Sequence, residues 1–338
     1  MSQFAVRRFS RVVLGLMLAA GLSPAAHAAS TARQETFSFG SWSMARHTLA
    51  GKNAPPVTYY LSVPKARAPL VLFVQGSGCI PPFSGLGTDK RSASIFPWVG
   101  LAMSGRYAVM AVDKPYQPAS VADGAPNGAL DCGAAFNNHY SYDTWLATLR
   151  QALRHALTRP EVDPRRVLVV GFSEGGVLAA GLARTVPEVS AVALLGTSGT
   201  TQLYDQIASV YQGSGSDAGK ARELQALDAT VKDILADPDS VAKVAWGHTY
   251  RRWSSFWKQS PGENVLQSKA RVYIASGMQD QAVPILSTEV MYAQLRARGR
   301  DVTMLRVPGA GHDLMTEAGG REGVQKEYDA VVRWFDQR

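Results

Sequence analysis

Cysteine is almost missing from this chain. Cys79 and Cys132 are the only two in 338 residues, too few for a cysteine-rich disulfide scaffold or a four-cysteine zinc site. Charge is sparse as well, at 18% of residues, and Lys and Arg never gather into the dense, aromatic-interleaved clusters of a nucleic-acid groove, so no nucleic-acid partner is expected. There is no internal repeat, low-complexity tract or long polar linker, which argues for one compact body over an array of modules. The histidines and cysteines show no ligand spacing and no acid cluster accompanies them, so no metal is expected; a glycine-rich phosphate loop is absent too, and no cofactor is expected.

What is present starts with an address. Arg7, Arg8 and Arg11 precede an apolar run over 12–22, then Pro24 and the small-residue site Ala26-His27-Ala28; this reads as a cleaved secretory signal at 1–28. The run is well short of the roughly 20 residues that cross a bilayer, and no cysteine sits at the cleavage site, so no stable membrane anchor is expected. The expected protein is exported, periplasmic or secreted. Removing 1–28 takes away three arginines and no acid, lowering the formal charge from +8 to +5, which is only mildly basic. In an oxidising compartment an isolated pair of cysteines more often bridges than stays free, so a disulfide between Cys79 and Cys132 is expected.

With 46% apolar residues the chain can bury a large core. Residues 36–49 and 57–63 read as two early strands, the second stopped by Pro64. Buried-strand runs follow at 70–74, 107–112, 167–170, 189–195, 271–275 and 302–307, with helical spacing between them at 95–103, 142–157, 175–185, 284–298 and 322–335. Strand alternating with helix implies a mainly parallel α/β sheet flanked by helices. The exception is 199–268, where no strand run occurs and three helical stretches begin at Gln202, Ala218 and Asp239. One apolar stripe there is Leu224, Leu227, Val231 and Leu235; another is Trp246, Tyr250, Trp253 and Trp257. An inserted helical cap at about 199–268 of a domain covering 29–338 is expected, its aromatic stripe either packed or lining a substrate pocket.

The strongest local signal is Val167-Leu168-Val169-Val170-Gly171-Phe172-Ser173-Glu174-Gly175-Gly176. A buried strand, a G-x-S-x-G turn and a helix rich in Ala and Leu arrive together, the context a strained nucleophile turn requires. A serine hydroxyl is barely nucleophilic at neutral pH and needs a base, itself oriented by a third group. Of six histidines, His27 leaves with the signal, His47 lies near the first strands, His139 and His155 flank a helix, and His248 lies in the expected cap. Only His312, in Gly309-Ala310-Gly311-His312, follows a late strand and is placed to reach back over the sheet. Asp280 is the acid in the loop after the preceding strand, so Ser173, Asp280 and His312 occur in the required chain order.

Together these segments resemble the α/β-hydrolase superfamily over roughly 57–338. The resemblance implies an α/β-hydrolase fold, a Ser173–His312–Asp280 triad, and an oxyanion hole of two backbone N–H groups, from Glu174 after the nucleophile and from Ser77 in Gln75-Gly76-Ser77-Gly78-Cys79. Ser77 and Gly78 remain alternatives for the second donor, and Gln75 stands where many members have His. Val162-Asp163-Pro164-Arg165-Arg166-Val167 resembles the branch of prolyl-oligopeptidase-like peptidases and related esterases. Three readings follow. The first is a serine hydrolase of carboxylic esters or thioesters. The second uses the same machinery on a peptide or aminoacyl amide, with Glu174 facing a cationic group, although a solvated helix-start residue is the blander role for it. The third is an inactive binding protein on a hydrolase scaffold. The expected partner is a small-molecule or peptide acyl substrate; oligomeric state is not readable.

Overall fold

The computed structural model describes residues 32–337, apart from 40–41, 52–54, 95, 123, 125–130 and 317–318; the expected signal at 1–28 lies outside the described residues. Along the chain run β1 (Arg33–Phe39), β2 (Trp42–Leu49), β3 (Val57–Ser62), β4 (Ala68–Val74), the short pair β5 (Phe83–Ser84) and β6 (Ser92–Ala93), α1 (Phe96–Ser104) and β7 (Ala108–Val112). Next come α2 (Gly133–His139), α3 (Tyr142–Ala156), β8 (Val162–Phe172), α4 (Glu174–Thr185) and β9 (Ala191–Leu195). The last third holds α5 (Gln202–Gln212), α6 (Asp217–Ala236), the short pair β10 (Val244–Ala245) and β11 (His248–Thr249), α7 (Tyr250–Trp257), α8 (Pro261–Leu266), β12 (Arg271–Gly277), α9 (Ile285–Ala297), β13 (Val302–Val307) and α10 (Gly320–Asp336).

Nine strands form one sheet in the order β1-β2-β3-β7-β4-β8-β9-β12-β13. The first three pair antiparallel and β3 pairs antiparallel to β7; from β7 onward every pairing is parallel. Parallel strands need cover on both faces, and alternation along β4 supplies it. Leu70, Leu72 and Val74 pack with Trp145 and Leu149 of α3 and Val177 and Leu178 of α4, while Val71 and Phe73 pack on the other face with Leu101 of α1 and Val331 and Phe335 of α10. α3 begins at a capping box in which Ser141 Oγ accepts from the Thr144 N–H. β4 lies between β7 and β8, so the chain leaves β4 to one side and later returns on the other. That reversal opens a crevice at the carboxyl ends of β4 and β8, where ligands of such sheets bind.

The structure departs from the sequence reading in several places. The strand read over 36–49 is a hairpin, Arg33 lying opposite Thr48; the apolar positions shift phase between Phe39 and Trp42, so that Phe37 and Phe39 lie opposite Met44 and Trp42. α2 was not anticipated because it buries one apolar residue, Phe136, and shows no stripe. Between β9 and β12 lie four helices and a two-residue hairpin, not three helices without strands. Leu235 is exposed, and Ile234 takes its place beside Val231. Ile234 and Val231 pack with Tyr250, Trp253 and Trp257, so parts of the two stripes expected at 199–268 meet, whereas Trp246 lies in the turn between β10 and β11 and is half exposed. Cys79 and Cys132 are joined in a disulfide that ties the loop after β4 to the start of α2. Among the described residues, no helix is long and apolar enough to cross a membrane.

Candidate active site

β8 runs from the core directly into Ser173, whose backbone sits at φ 54° and ψ −126°, outside the regions a residue with a side chain prefers. The turn is held rigidly. Ser173 N donates to Leu195 O at 2.8 Å, and its carbonyl accepts from Thr197 Oγ1 at 2.6 Å. Two glycines make the turn sterically possible: a Cβ on Gly171 would lie 2.4 Å from Gly175 O, and one on Gly175 would lie 2.1 Å from Val74 O. Serine is a favoured N-cap residue, yet Ser173 gives α4 no side-chain cap. Its Oγ lies 2.9 Å from His312 Nε2 instead.

His312 follows β13 and Asp280 follows β12, and backbone bonds zip their loops together: Met278 N donates to Val307 O at 3.0 Å and Gln279 N to Ala310 O at 2.9 Å. The Asp280 side chain is fully buried. Its Oδ1 accepts from Ala282 N at 2.9 Å and Val283 N at 2.8 Å, which leaves Oδ2 for His312 Nδ1 at 2.8 Å. A carboxylate only accepts, so Nδ1 carries the ring hydrogen and Nε2 is free to accept from Ser173. The structure thus brings Ser173, His312 and Asp280 into one hydrogen-bonded chain.

Ser77 lies beside this chain in the loop after β4, and with Gly76, Gly78 and Ser173 it lines a cavity of about 430 Å³. Phe73, Ile80, Phe172, Val324 and Tyr328 supply its apolar wall, on the α1 and α10 side of the sheet. Gln75 closes the loop on itself, donating from Nε2 to Ile80 O at 3.1 Å. The aromatic stripe of α7 does not line this cavity; it is packed against α6. Glu174 is the first residue of α4, so its N–H has no acceptor inside the helix and sits at the positive end of the helix dipole.

The Glu174 side chain corrects both roles expected for it. It is neither solvated nor open to a cationic substrate, being 2% exposed and accepting from Tyr140 Oη and from Nε and a terminal nitrogen of Arg252. Burial pushes its carboxyl up, but the charges of Arg252 and Lys114 overcome that and hold it at about 2. Lys114 and Arg252 are each 3% exposed. Neither was singled out in the sequence, because a buried Lys or Arg looks there like any surface charge. A second unanticipated acid is Asp205 of α5, buried and accepting from Ser198 Oγ. Burial raises it to about 6 against that hydrogen bond, and the charges of Asp280 and His312 both act on it.

Comparison with known proteins matches this architecture. The sequence model of the alpha/beta hydrolase family matches residues 71–322. The uncharacterized peptidase YuxL of Bacillus subtilis (strain 168) is 23% identical over 188 residues, which are 55% of this chain and 24% of YuxL; the chain spans about a quarter of that relative. Acetyl xylan esterase 1 from Thermoanaerobacterium sp. JW/SL YS485 superposes with a TM-score of 0.54 at 15% identity, over 88% of this chain and 87% of the esterase. The acylaminoacyl peptidase of Pyrococcus horikoshii superposes with a TM-score of 0.57 at 14% identity, over 90% of this chain and 42% of the peptidase. At such identities the superpositions speak for the fold alone, while the family match covers the sheet from β4 onward together with the Ser173 turn and the loops carrying Asp280 and His312. The chain belongs to the alpha/beta hydrolase family.

Proposed function

We propose that the protein is a serine hydrolase of carboxylic esters or thioesters carrying an uncharged, apolar acyl group. The observation that carries this reading is the unbroken chain from Ser173 Oγ to His312 Nε2 at 2.9 Å and from His312 Nδ1 to Asp280 Oδ2 at 2.8 Å. Ser173 Oγ attacks the carbonyl carbon while its proton passes to His312 Nε2. The oxyanion accepts from the N–H groups of Ser77 and Glu174, each contributing about 3 to 4 kcal/mol to the transition state. Collapse expels the alcohol or thiol, which takes the proton from His312, and water then cleaves the acyl-enzyme with His312 as base.

The apolar wall of the cavity supports the acyl class. The commitment of Glu174 to Arg252 and Tyr140 removes the acid that the aminoacyl reading needed for a free amino terminus. Residues 1–28 act as an export signal in this proposal, 199–268 form a cap inserted in a domain covering 29–338, and the disulfide suits a periplasmic or secreted destination.

A fluorophosphonate probe tests the chemistry. Labelling of the native protein but not of Ser173→Ala is expected, with turnover of p-nitrophenyl esters exceeding that of aminoacyl p-nitroanilides. Absence of labelling points to an inactive binding scaffold, and a preference for the anilides to a peptidase.

A further inference from the structure

The loop after β4 is held by a buried cation that also borders the cavity. Lys114, just past β7, donates from Nζ to Gly76 O at 2.6 Å, to Gly78 O at 2.7 Å and to Tyr140 Oη at 3.0 Å. An ammonium has three hydrogens, and all three are used. Its nearest carboxylate oxygen, Glu174 Oε1, is farther away at 3.7 Å, and Glu174 already has Arg252 as a two-pronged partner. Taking an ammonium out of water is costly, and the charge of Glu174 offsets only part of that cost, since Lys114 is still pushed down. The closest contacts of Lys114 are the two carbonyls.

Peptide geometry gives those contacts a consequence. In a trans peptide the C=O and N–H point in opposite directions, so drawing the Gly76 carbonyl onto Lys114 turns the Ser77 N–H away from Lys114. Gly76 lies against Ser173, a Cβ built on it falling 3.3 Å from Ser173 Cβ, and Ser77 lines the cavity beside the nucleophile. A cation on the carbonyl also polarises the peptide and strengthens its N–H as a donor. Tyr140 follows α2, whose other end begins at Cys132. The disulfide and Lys114 therefore fix the same loop from two directions.

We propose that Lys114 is the positioning residue of the oxyanion loop: its ammonium orients the Ser77 N–H through the Gly76 carbonyl, and Glu174 holds the ammonium in place through Tyr140. This rests on the reading of Ser173 as nucleophile and selects Ser77 over Gly78 as the loop's donor.

The groups facing Lys114 predict a pH signature. Burial pushes Lys114 down to about 8 against the charge of Glu174. Around it Glu174 is held at about 2, burial holds His248 at about 4, burial raises Tyr140 well above its usual value, and the charge of Arg252 also acts on Lys114. The remaining facing group, the Trp145 ring, does not titrate. Lys114 is thus the member of this cluster that changes charge near pH 8. If its ammonium orients the donor, kcat falls as pH rises through about 8.

The test uses the mature chain and a p-nitrophenyl ester, with folding checked by near-ultraviolet circular dichroism. Lys114→Met is expected to lower kcat roughly 10- to 100-fold with little change in KM. Lys114→Arg should retain more activity than Lys114→Met and lose the alkaline limb. The double variant Lys114→Met with Glu174→Gln should not recover, since an unpaired Glu174 is not the defect. Recovery in the double variant, or wild-type kcat in Lys114→Met, overturns the proposal. Should Lys114→Met not fold, the limb decides: its absence from the wild type, or its persistence unshifted in Lys114→Arg, is equally fatal. Fluorophosphonate labelling of Ser173 in the wild type separates the two levels, because failure to label sinks the serine mechanism itself, whereas labelling with an indifferent Lys114 sinks only this inference.

Discussion

Asp280→Asn isolates what the buried carboxylate does for the imidazole. The carboxylate accepts three N–H groups, two from the backbone of Ala282 and Val283 on Oδ1 and one from His312 on Oδ2. An asparagine can keep its single oxygen toward the two backbone donors, at a loss of about 1 to 2 kcal/mol for replacing charge-assisted bonds by neutral ones. Its amide nitrogen then faces His312 Nδ1. Two donors cannot share that contact, so the ring moves its hydrogen to Nε2, where it faces Ser173 and can no longer accept the serine proton. The expected loss is about 10⁴-fold in kcat, equivalent to about 5 kcal/mol of transition-state stabilisation, in a protein that still folds. Steady-state turnover of a p-nitrophenyl ester, the rate of fluorophosphonate labelling and a thermal melt measure the three quantities. Activity within about tenfold of wild type, in a folded variant, would refute the reasoning and turn attention to Asp205, the buried acid on which the charge of His312 acts.

Three further outcomes follow from the same structure. Gly175→Ala places a Cβ 2.1 Å from Val74 O and 2.5 Å from Gln75 O, backbone atoms that cannot yield without moving the loop after β4; a loss of about 3 kcal/mol or more is expected, and an unchanged melting temperature would contradict it. Replacing Cys79 and Cys132 by serine opens a closure spanning 53 residues, worth about 4 kcal/mol in the chain-entropy model, to be read as a lower denaturant midpoint with a steeper slope, since the unfolded chain is no longer held compact. Asp205 is raised from 3.8 to about 6, so the folded state holds its proton more tightly than the unfolded chain, and the stability associated with that proton is present below pH 3.8 and lost as pH rises through about 6. Asp205→Asn should therefore stabilise by up to about 3 kcal/mol at pH 7 and by almost nothing near pH 4; an equal gain at both pH values would show that the carboxyl's ionisation is not the cause.

The parts of this molecule that could be read in the sequence are those whose signal is local. The turn at Ser173 announces itself within ten consecutive residues, since the buried run, the two glycines and the Ala- and Leu-rich helix are contiguous. His312 and Asp280 each sit in a loop just past a strand, so counting strands was enough to place them at one rim of the sheet. Glu174 shows where such reading stops. Its partner Arg252 lies 78 residues away in the chain, and nothing near either residue marks them as buried. The stripe of Trp253 and Trp257 marks a covered face, but periodicity does not say what covers it, and the cover is α6. α2 was lost for the opposite reason, having almost no apolar face to register.

The segment between β9 and β12 reaches the chemistry through charge and not through its aromatics. Trp253 and Trp257 face α6, whereas Arg252, from the same helix α7, stacks over the rings of Trp253 and Phe256 with its guanidinium carbon 4.2 and 4.6 Å from their centroids and hydrogen-bonds Glu174. Glu174 therefore divides along its own bonds: its N–H stands at the start of α4 beside Ser173, while its carboxylate is locked in hydrogen bonds to Tyr140 and Arg252. A shift of α7 acts on that carboxylate directly, whereas the cavity is lined by β4 and the loop after it, β8, Lys114, the His312 loop and α10. On the proposed mechanism, the segment 199–268 acts on how the Ser173 turn and the loop after β4 are held, and the opposite face of the sheet acts on which acyl group fits.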